Sequence, residues 1–400
     1  MMTFNPTSEA FAADPYAVYA RLRDAGPVWF EPTHMWVLSR YEDIARVATD
    51  PAMVRSLDEL ATPEEAARQQ RVENFHDMPF HERFVQTSLL DSDGPRHRRL
   101  RREVFAAFQA RNLESLRPAI ERFVDERLRD VRGAGEIDFV ADFAAHVPGH
   151  VIGLFLGVPA EDAPRLRKWS ETVVAYFDID RTAARKAAAE AATRDFARYL
   201  DDLVAERRAR PRDDLISRMI EAEASGAYEG DELIATAMLI LMAGHGSTID
   251  VMGSGLHLLL EHQEALAELR GGADLETALQ EIFRYEPPLP FFHRHALEDC
   301  EVAGRAFARG TTFGLLYASA NRDPAAFEAP ERFDIRRAPN RHLAFGRGAH
   351  LCLGNALARI NMGVVFERLL ACDLRLEARE VPYKTGLAVR GPARLPVSIR

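Results

Sequence analysis

Residues 231–262 read as one unusually long helix, apolar most of the way round, and no other feature constrains the fold as strongly. A helix without a polar face has to be covered on all sides. The rest of the chain must therefore wrap it, and the available segments are themselves helical. Apolar residues recur at helical spacing near 95–109, 114–132, 140–156, 160–177, 181–208 and 212–223, with Gly-rich or Pro-containing breaks between several of them. Within the long helix the most apolar stretch, Leu233 to Gly244, is interrupted by Thr236 and followed by His245, Ser247 and Asp250. That run is too short to span a bilayer and reads as a buried core helix.

Strand signals are few. Val28-Trp29-Phe30 and Met35 to Leu38 read as a short hairpin, Thr311 to Tyr317 as a further strand, and Leu387 to Val389 with Leu395 to Val397 as a last hairpin. Residues 51–90 are polar and irregular, as lids and binding segments often are. Pro287, Pro288 and Pro290 exclude a helix there, and helix returns after Gly354. No repeat or linker divides the 400 residues, so one domain over 1–400 is expected.

With 47% hydrophobic residues, a chain of this length can bury a core large enough to enclose a cofactor. A net charge of −10 argues against nucleic acid as a partner. Met1 to Pro6 has no basic region followed by an apolar one, so a cytoplasmic protein without a membrane segment is expected, as a monomer. Cys300, Cys352 and Cys372 are too few for a disulfide framework and lack zinc-type spacing. Lysine occurs only at 168, 186 and 384.

The most informative short segment is Phe345-Gly346-Arg347-Gly348-Ala349-His350-Leu351-Cys352-Leu353-Gly354. Two glycines before the cysteine let the backbone turn tightly and approach a flat object closely. Gly354 leaves room beside the sulfur, and the helix beginning near Asn355 points its amino end at Cys352, where free N–H groups favour a thiolate. A single cysteine near glycines is more often a buried structural residue. Here a ten-residue pattern is matched at each of its fixed positions: the segment resembles the FxxGxxxCxG haem-binding loop of the cytochrome P-450 superfamily, and the match continues through Ala356-Leu357-Ala358-Arg359.

The resemblance implies a mainly α fold with small β-sheets, a triangular helical prism around haem b (iron protoporphyrin IX), with Cys352 as the metal ligand and Phe345, Gly346 and Gly354 shaping the loop. A thiolate ligand pushes electron density onto haem iron and favours O–O cleavage. It also implies a buried structural triad of Glu281, Arg284 and Arg332. His97 and Arg101, four apart on one helix face, resemble the family's propionate-binding pair, with Arg294 and His350 as further contacts and His342 as a weaker one. Electrons would come from an external ferredoxin and ferredoxin reductase. Arg96, Arg98, Arg99, Arg101, Arg102, Arg336, Arg337, Arg341, Arg347 and Arg359 could form a basic docking patch for that donor, or be solvated helix faces.

On the oxygen side the chain departs from the family. Ala243-Gly244-His245-Gly246-Ser247-Thr248 stands where the family commonly has AGx[DE]TT. The acid position is Gly246 and the alcohol position Ser247, followed by Thr248, while Ala243 would lie against the haem. Gly244 and Gly246 would ease a kink. Several outcomes stay open: hydroxylation with protons from water or substrate, peroxide-driven oxidation, oxidative coupling or cross-linking of an aromatic or peptide substrate, and, more distantly, a reductase. His245 is a lesser candidate for a substitute relay. A haem carrier or gas sensor without turnover is the binding-protein alternative. Substrate contacts implied by the resemblance are Phe84, Val85, Ser88, Leu89, Leu239, Met242, Leu289, Phe291, Phe292 and Leu387, mostly apolar as a cavity for a small organic molecule requires.

Overall fold

The computed structural model describes residues 4–56 and 62–400; Met1 to Thr3 and positions 57–61 of the irregular stretch lie outside the described residues. The long helix runs Glu232–Glu261, unbroken through Gly244 and Gly246. Helices Val147–Leu156, Ala163–Val174 and Ala183–Ala209 pack on it, as do the helices Leu275–Tyr285 and Asn355–Leu370. Its apolar side chains merge with theirs into the largest hydrophobic cluster of the protein. This helix and the segment Phe139–Leu156 are both long and apolar enough to cross a membrane, so the short apolar run understated the helix; both are mostly buried inside the protein.

The expected helices are present within a few residues of their predicted ends. Part of the stretch expected to be irregular is helical. Pro63–Val72 is a helix whose first turn accommodates Pro63 and is closed by a capping box between Thr62 and Glu65. A π-helical turn, Glu82–Gln86, follows and packs on the central helix.

The main sheet orders its strands Val28–Phe30, Met35–Leu38, Thr312–Leu316, Phe291–Ala296 and Met53–Val54. The expected hairpin pairs Val28 with Val37 and Phe30 with Met35. Phe291–Ala296 pairs antiparallel with Thr312–Leu316, placing Arg294 opposite Phe313. The expected terminal hairpin is different: Leu387 to Val389 is not a strand. Pro396–Ile399 instead pairs with Leu374–Leu376 and with Glu136–Asp138, and a single bridge joins Tyr383 to Pro392.

Candidate functional site

The cysteine loop is built by its glycines. Gly346 and Gly348 have φ of 69° and 74°, a region open to glycine and strained for other residues. A Cβ on Gly348 would lie 2.5 Å from the carbonyl oxygen of Ala48, so the loop seats directly on helix Tyr41–Thr49. The Cys352 N–H donates to the Phe345 carbonyl at 2.8 Å and closes the loop. Phe345 packs on Phe283 with ring centroids 4.7 Å apart. Cys352 retains exposed surface. Its surroundings nevertheless desolvate it: burial pushes the thiol pKa up, while the Gly354 N–H and the Arg101 guanidinium pull it down. Exposure and desolvation coexist if the sulfur faces an internal cleft.

Arg101 acts on this thiol, and a cluster of histidines and arginines lies beyond it. Arg101 donates to the Leu351 carbonyl at 2.6 Å, tying helix Gly94–Phe105 to the loop. The His97 ring lies 4.4 Å from the His350 ring. Burial first, then His350 and Arg101, push the His97 pKa down to about 4. His350 pairs with Asp93 at 3.0 Å. Arg294 is 3% exposed, and burial lowers its pKa to about 10. Two residues missed in the sequence belong here. Asp93 receives His350 together with the backbone N–H groups of Arg55 and Ser56. Burial works to raise its pKa, and these donors hold it below the ordinary carboxylate value. Arg55 pairs with Asp91 at 2.5 Å and lies over the Phe292 ring. The signal for Asp93 was its place just before Gly94-Pro95 at a helix start.

His97 Nε2 is buried and has no hydrogen-bond partner. An unsatisfied buried nitrogen costs roughly 1–3 kcal/mol. A carboxylate from a bound group would satisfy it. The residues thus fit a haem: a thiol with open surface for the metal, and His97, Arg101 and Arg294 for two propionates, with His350 oriented by Asp93. His342 does not join them. Its Nε2 is 3.0 Å from Gln280 Oε1 and its ring stacks near Phe283, so it braces the loop from the side of helix Leu275–Tyr285.

Glu281 and Arg284 are fully buried and joined by two hydrogen bonds of 2.7 Å. The third member is Arg337, not Arg332. Arg337 Nε reaches Glu281 at 3.1 Å, whereas Arg332 offers only its carbonyl, to Arg284, and its side chain is turned outward. The turn from Ala329 to Arg332 accounts for this, leaving Arg337 to fold back under the helix.

On the central helix Leu239, Ala243, Gly246 and Ser247 share one face and keep accessible surface, although Leu241, Met242 and His245 beside them are buried. A Cβ at Gly246 would touch nothing within 4 Å. Ser247 Oγ donates to the Ala243 carbonyl at 3.0 Å. Thr248 is 5% exposed and, like His245, turns away from this strip. His245 Nδ1 is 2.6 Å from the Leu241 carbonyl, and its Nε2 faces Gly149, so it is no substitute relay.

The expected substrate contacts divide. Leu239, Leu289 and Phe292 are half-buried, and Phe292 shares a strand face with Arg294. Phe84, Val85, Leu89 and Met242 join the main core cluster at its surface with the Glu82–Gln86 turn. Ser88 is buried with its Oγ unpartnered. Phe291 and Leu387 belong elsewhere. They pack with Phe11, Tyr19 and Val37, because Phe291 points to the opposite face of its strand from Phe292 and lies over Gly314.

Much of the expected basic patch is neutralised internally. Arg96 and Arg99 pair with Glu232, Arg336 with Glu268 and Arg337 with Glu281. Among the described residues Arg98, Arg341 and Arg347 remain exposed without an ion pair, and Phe105 and Leu351 are exposed apolar residues.

The family model described as Cytochrome P450 matches residues 28–274 and 275–384. Over its whole length the chain is 31% identical to the polyketide biosynthesis cytochrome P450 PksS of Bacillus subtilis (strain 168), covering 99% of that protein. It is 32% identical to the 6-deoxyerythronolide B hydroxylase of Saccharopolyspora erythraea, over 98% of each chain. Among solved structures it superposes on CxnD, a cytochrome P450 enzyme for C–S bond formation in chuangxinmycin biosynthesis, with a TM-score of 0.85 at 29% identity, covering 100% of this chain and 99% of that one.

Proposed function

The chain belongs to the cytochrome P450 family and is an oxidoreductase of the monooxygenase class, and we propose that it hydroxylates a natural-product-sized organic substrate using dioxygen and electrons from an external ferredoxin. The observation that carries this reading is the unsatisfied buried nitrogen of His97, beside Arg101 and an accessible Cys352 thiol. Haem b, when bound, supplies electron uptake, dioxygen activation and oxygen transfer. The chain's own residues do the rest. Cys352 would ligate the iron; His97 would donate a hydrogen bond to the propionates, and Arg101 and Arg294 would neutralise them. Arg337, Arg284 and Glu281 fix the layer beneath the loop. Leu239, Ala243 and Phe292 present an apolar wall that excludes water and positions the substrate.

Electrons would arrive on the surface that carries exposed Arg98 and Phe105 on helix Gly94–Phe105 and exposed Arg347 and Leu351 on the cysteine loop, which Arg101 ties to that helix. That combination suits an acidic electron carrier. Matches along the full length of its relatives support one domain over 1–400; action as a cytoplasmic monomer completes the reading.

A second reading has specific support. Gly246 removes the usual carboxylate, and the similar enzyme CxnD serves C–S bond formation, so oxidative coupling is the alternative. Labelled dioxygen separates the two. Hydroxylation places one labelled atom in the product; a product lacking label overturns the proposal in favour of coupling.

A further inference from the structure

The central helix carries a polar stripe that its packing does not require. Ser247, Asp250, Ser254 and His257 follow at spacings of three, four and three and so share one face. The positions around them are apolar: Ile249, Val251, Met252 and Leu256. The stripe begins at the open strip beside Gly246 and passes under the segment that follows Pro382. Asp250 is 1% exposed. Its Oδ1 accepts a hydrogen bond from Lys384 Nζ at 2.6 Å, and its Oδ2 is buried without a partner. A Cβ on Gly391 would lie 2.6 Å from Asp250 Cβ, so only glycine lets the segment close over the carboxylate. The Lys384 N–H donates to the Gly391 carbonyl at 3.0 Å and fixes that closure. Lys384 is 36% exposed along its side chain and therefore reaches solvent. At the far end of the stripe, His257 Nδ1 is 3.0 Å from the Tyr383 hydroxyl.

A buried ion pair on an otherwise apolar helix adds little to stability compared with hydrophobic residues of the same size. Its location gives it another use. Gly246 lacks the family's acid, and Asp250 lies one turn further along the same face, on the order of 5 Å in helical rise. We propose that Asp250, held by Lys384, relays protons to Ser247 and replaces the carboxylate missing at position 246.

The proposal rests on the monooxygenase reading, in which dioxygen, two electrons, two protons and substrate give hydroxylated product and one water. Each proton passes from the Lys384 ammonium to Asp250, and from Asp250 to Ser247 Oγ directly or through one water. Ser247 gives up its own hydroxyl proton to the site, and solvent restores Lys384. Burial raises the Asp250 pKa and Lys384 lowers it, leaving it above the ordinary carboxylate value. Glu171 and Arg167, on helix Ala163–Val174, are the other charges that act on it, with opposite signs.

The test is Asp250→Asn in the full holoenzyme. Ferredoxin-driven product formation should fall on the order of a hundredfold, with electrons diverted to hydrogen peroxide. Oxidation driven by added hydrogen peroxide, which brings its own protons, should fall far less. Gly246→Glu added to Asp250→Asn should restore ferredoxin-driven product, since position 246 has space for a side chain. Infrared difference spectra of the resting enzyme across a pH series should show one carboxyl band that Asp250→Asn removes. Lys384→Met should shift that band's pH midpoint. Wild-type coupling in a folded Asp250→Asn enzyme overturns the proposal. So does an equal loss of both oxidation routes that Gly246→Glu does not rescue, which marks a structural role. If the unaltered enzyme oxidises nothing by either route, the monooxygenase reading fails and the proposal with it.

Discussion

Arg337 illustrates how a single side chain can carry part of the core. It approaches Glu281 at 3.1 Å, in a network where Glu281 also binds Arg284, Asn340 and the Asp334 N–H. Removing one member of a buried ionic network typically costs about 3–5 kcal/mol. Arg337→Ala should therefore lower unfolding free energy by about 3 kcal/mol, the low end, because Arg284 remains paired. Arg332→Ala should change it by less than about 0.5 kcal/mol, since only its backbone carbonyl takes part. Denaturant unfolding of the two variants distinguishes them, and equal losses would contradict the assignment. The family resemblance pointed to Arg332, and a motif does not reveal which arginine of the loop the turn at Ala329 directs inward. By contrast, His97, Arg101, Arg294, His350 and Cys352 were legible because each sits at a fixed offset within a recognisable helix, strand or loop. Asp93 and Arg55 were not, because their partners are remote in sequence.

At the scale of elements, the cysteine loop depends on backbone conformations that side chains oppose. Gly348 combines a φ of 74° with an approach of 2.5 Å between its would-be Cβ and the Ala48 carbonyl. Gly348→Ala should cost about 1–3 kcal/mol from the backbone strain alone. It should also speed haem loss, measured by transfer to an apoglobin acceptor; an unchanged rate would show that the loop tolerates displacement. The central helix was legible from its apolar surround, but not its open strip. Periodicity places Ala243, Gly246 and Ser247 on one face without saying which face stays uncovered. For the same reason Thr248 was grouped with Ser247, although one residue of helix rotates it about 100° away. Phe291 and Phe292 show the strand equivalent, where neighbours point to opposite faces. The helix Pro63–Val72 was hidden by a polar composition, its stability resting on capping rather than on an apolar face.

Across the whole molecule, several histidines are neutral because they are buried. Burial lowers His81, His295 and His342 to about 3. In the unfolded chain each titrates near 6.5. Between these values the unfolded state binds more protons, so stability is fully present above about pH 6.5 and is lost as pH falls toward 3. Melting temperature should thus drop steadily from pH 7 to pH 5, and His342→Gln should flatten part of the slope. A pH-independent melt would contradict the burial of these rings. On the proposed reading, the whole arrangement, helices around one long core helix and a cationic group beside a cysteine loop, serves to hold a haem by Cys352. The most direct test is the absorption spectrum of the reduced protein with carbon monoxide. Thiolate ligation predicts a strongly red-shifted Soret band that disappears in Cys352→Ala while His97 and Arg101 are left intact. The same red-shifted band in Cys352→Ala, or its absence from the unaltered haem-loaded protein, would contradict the account.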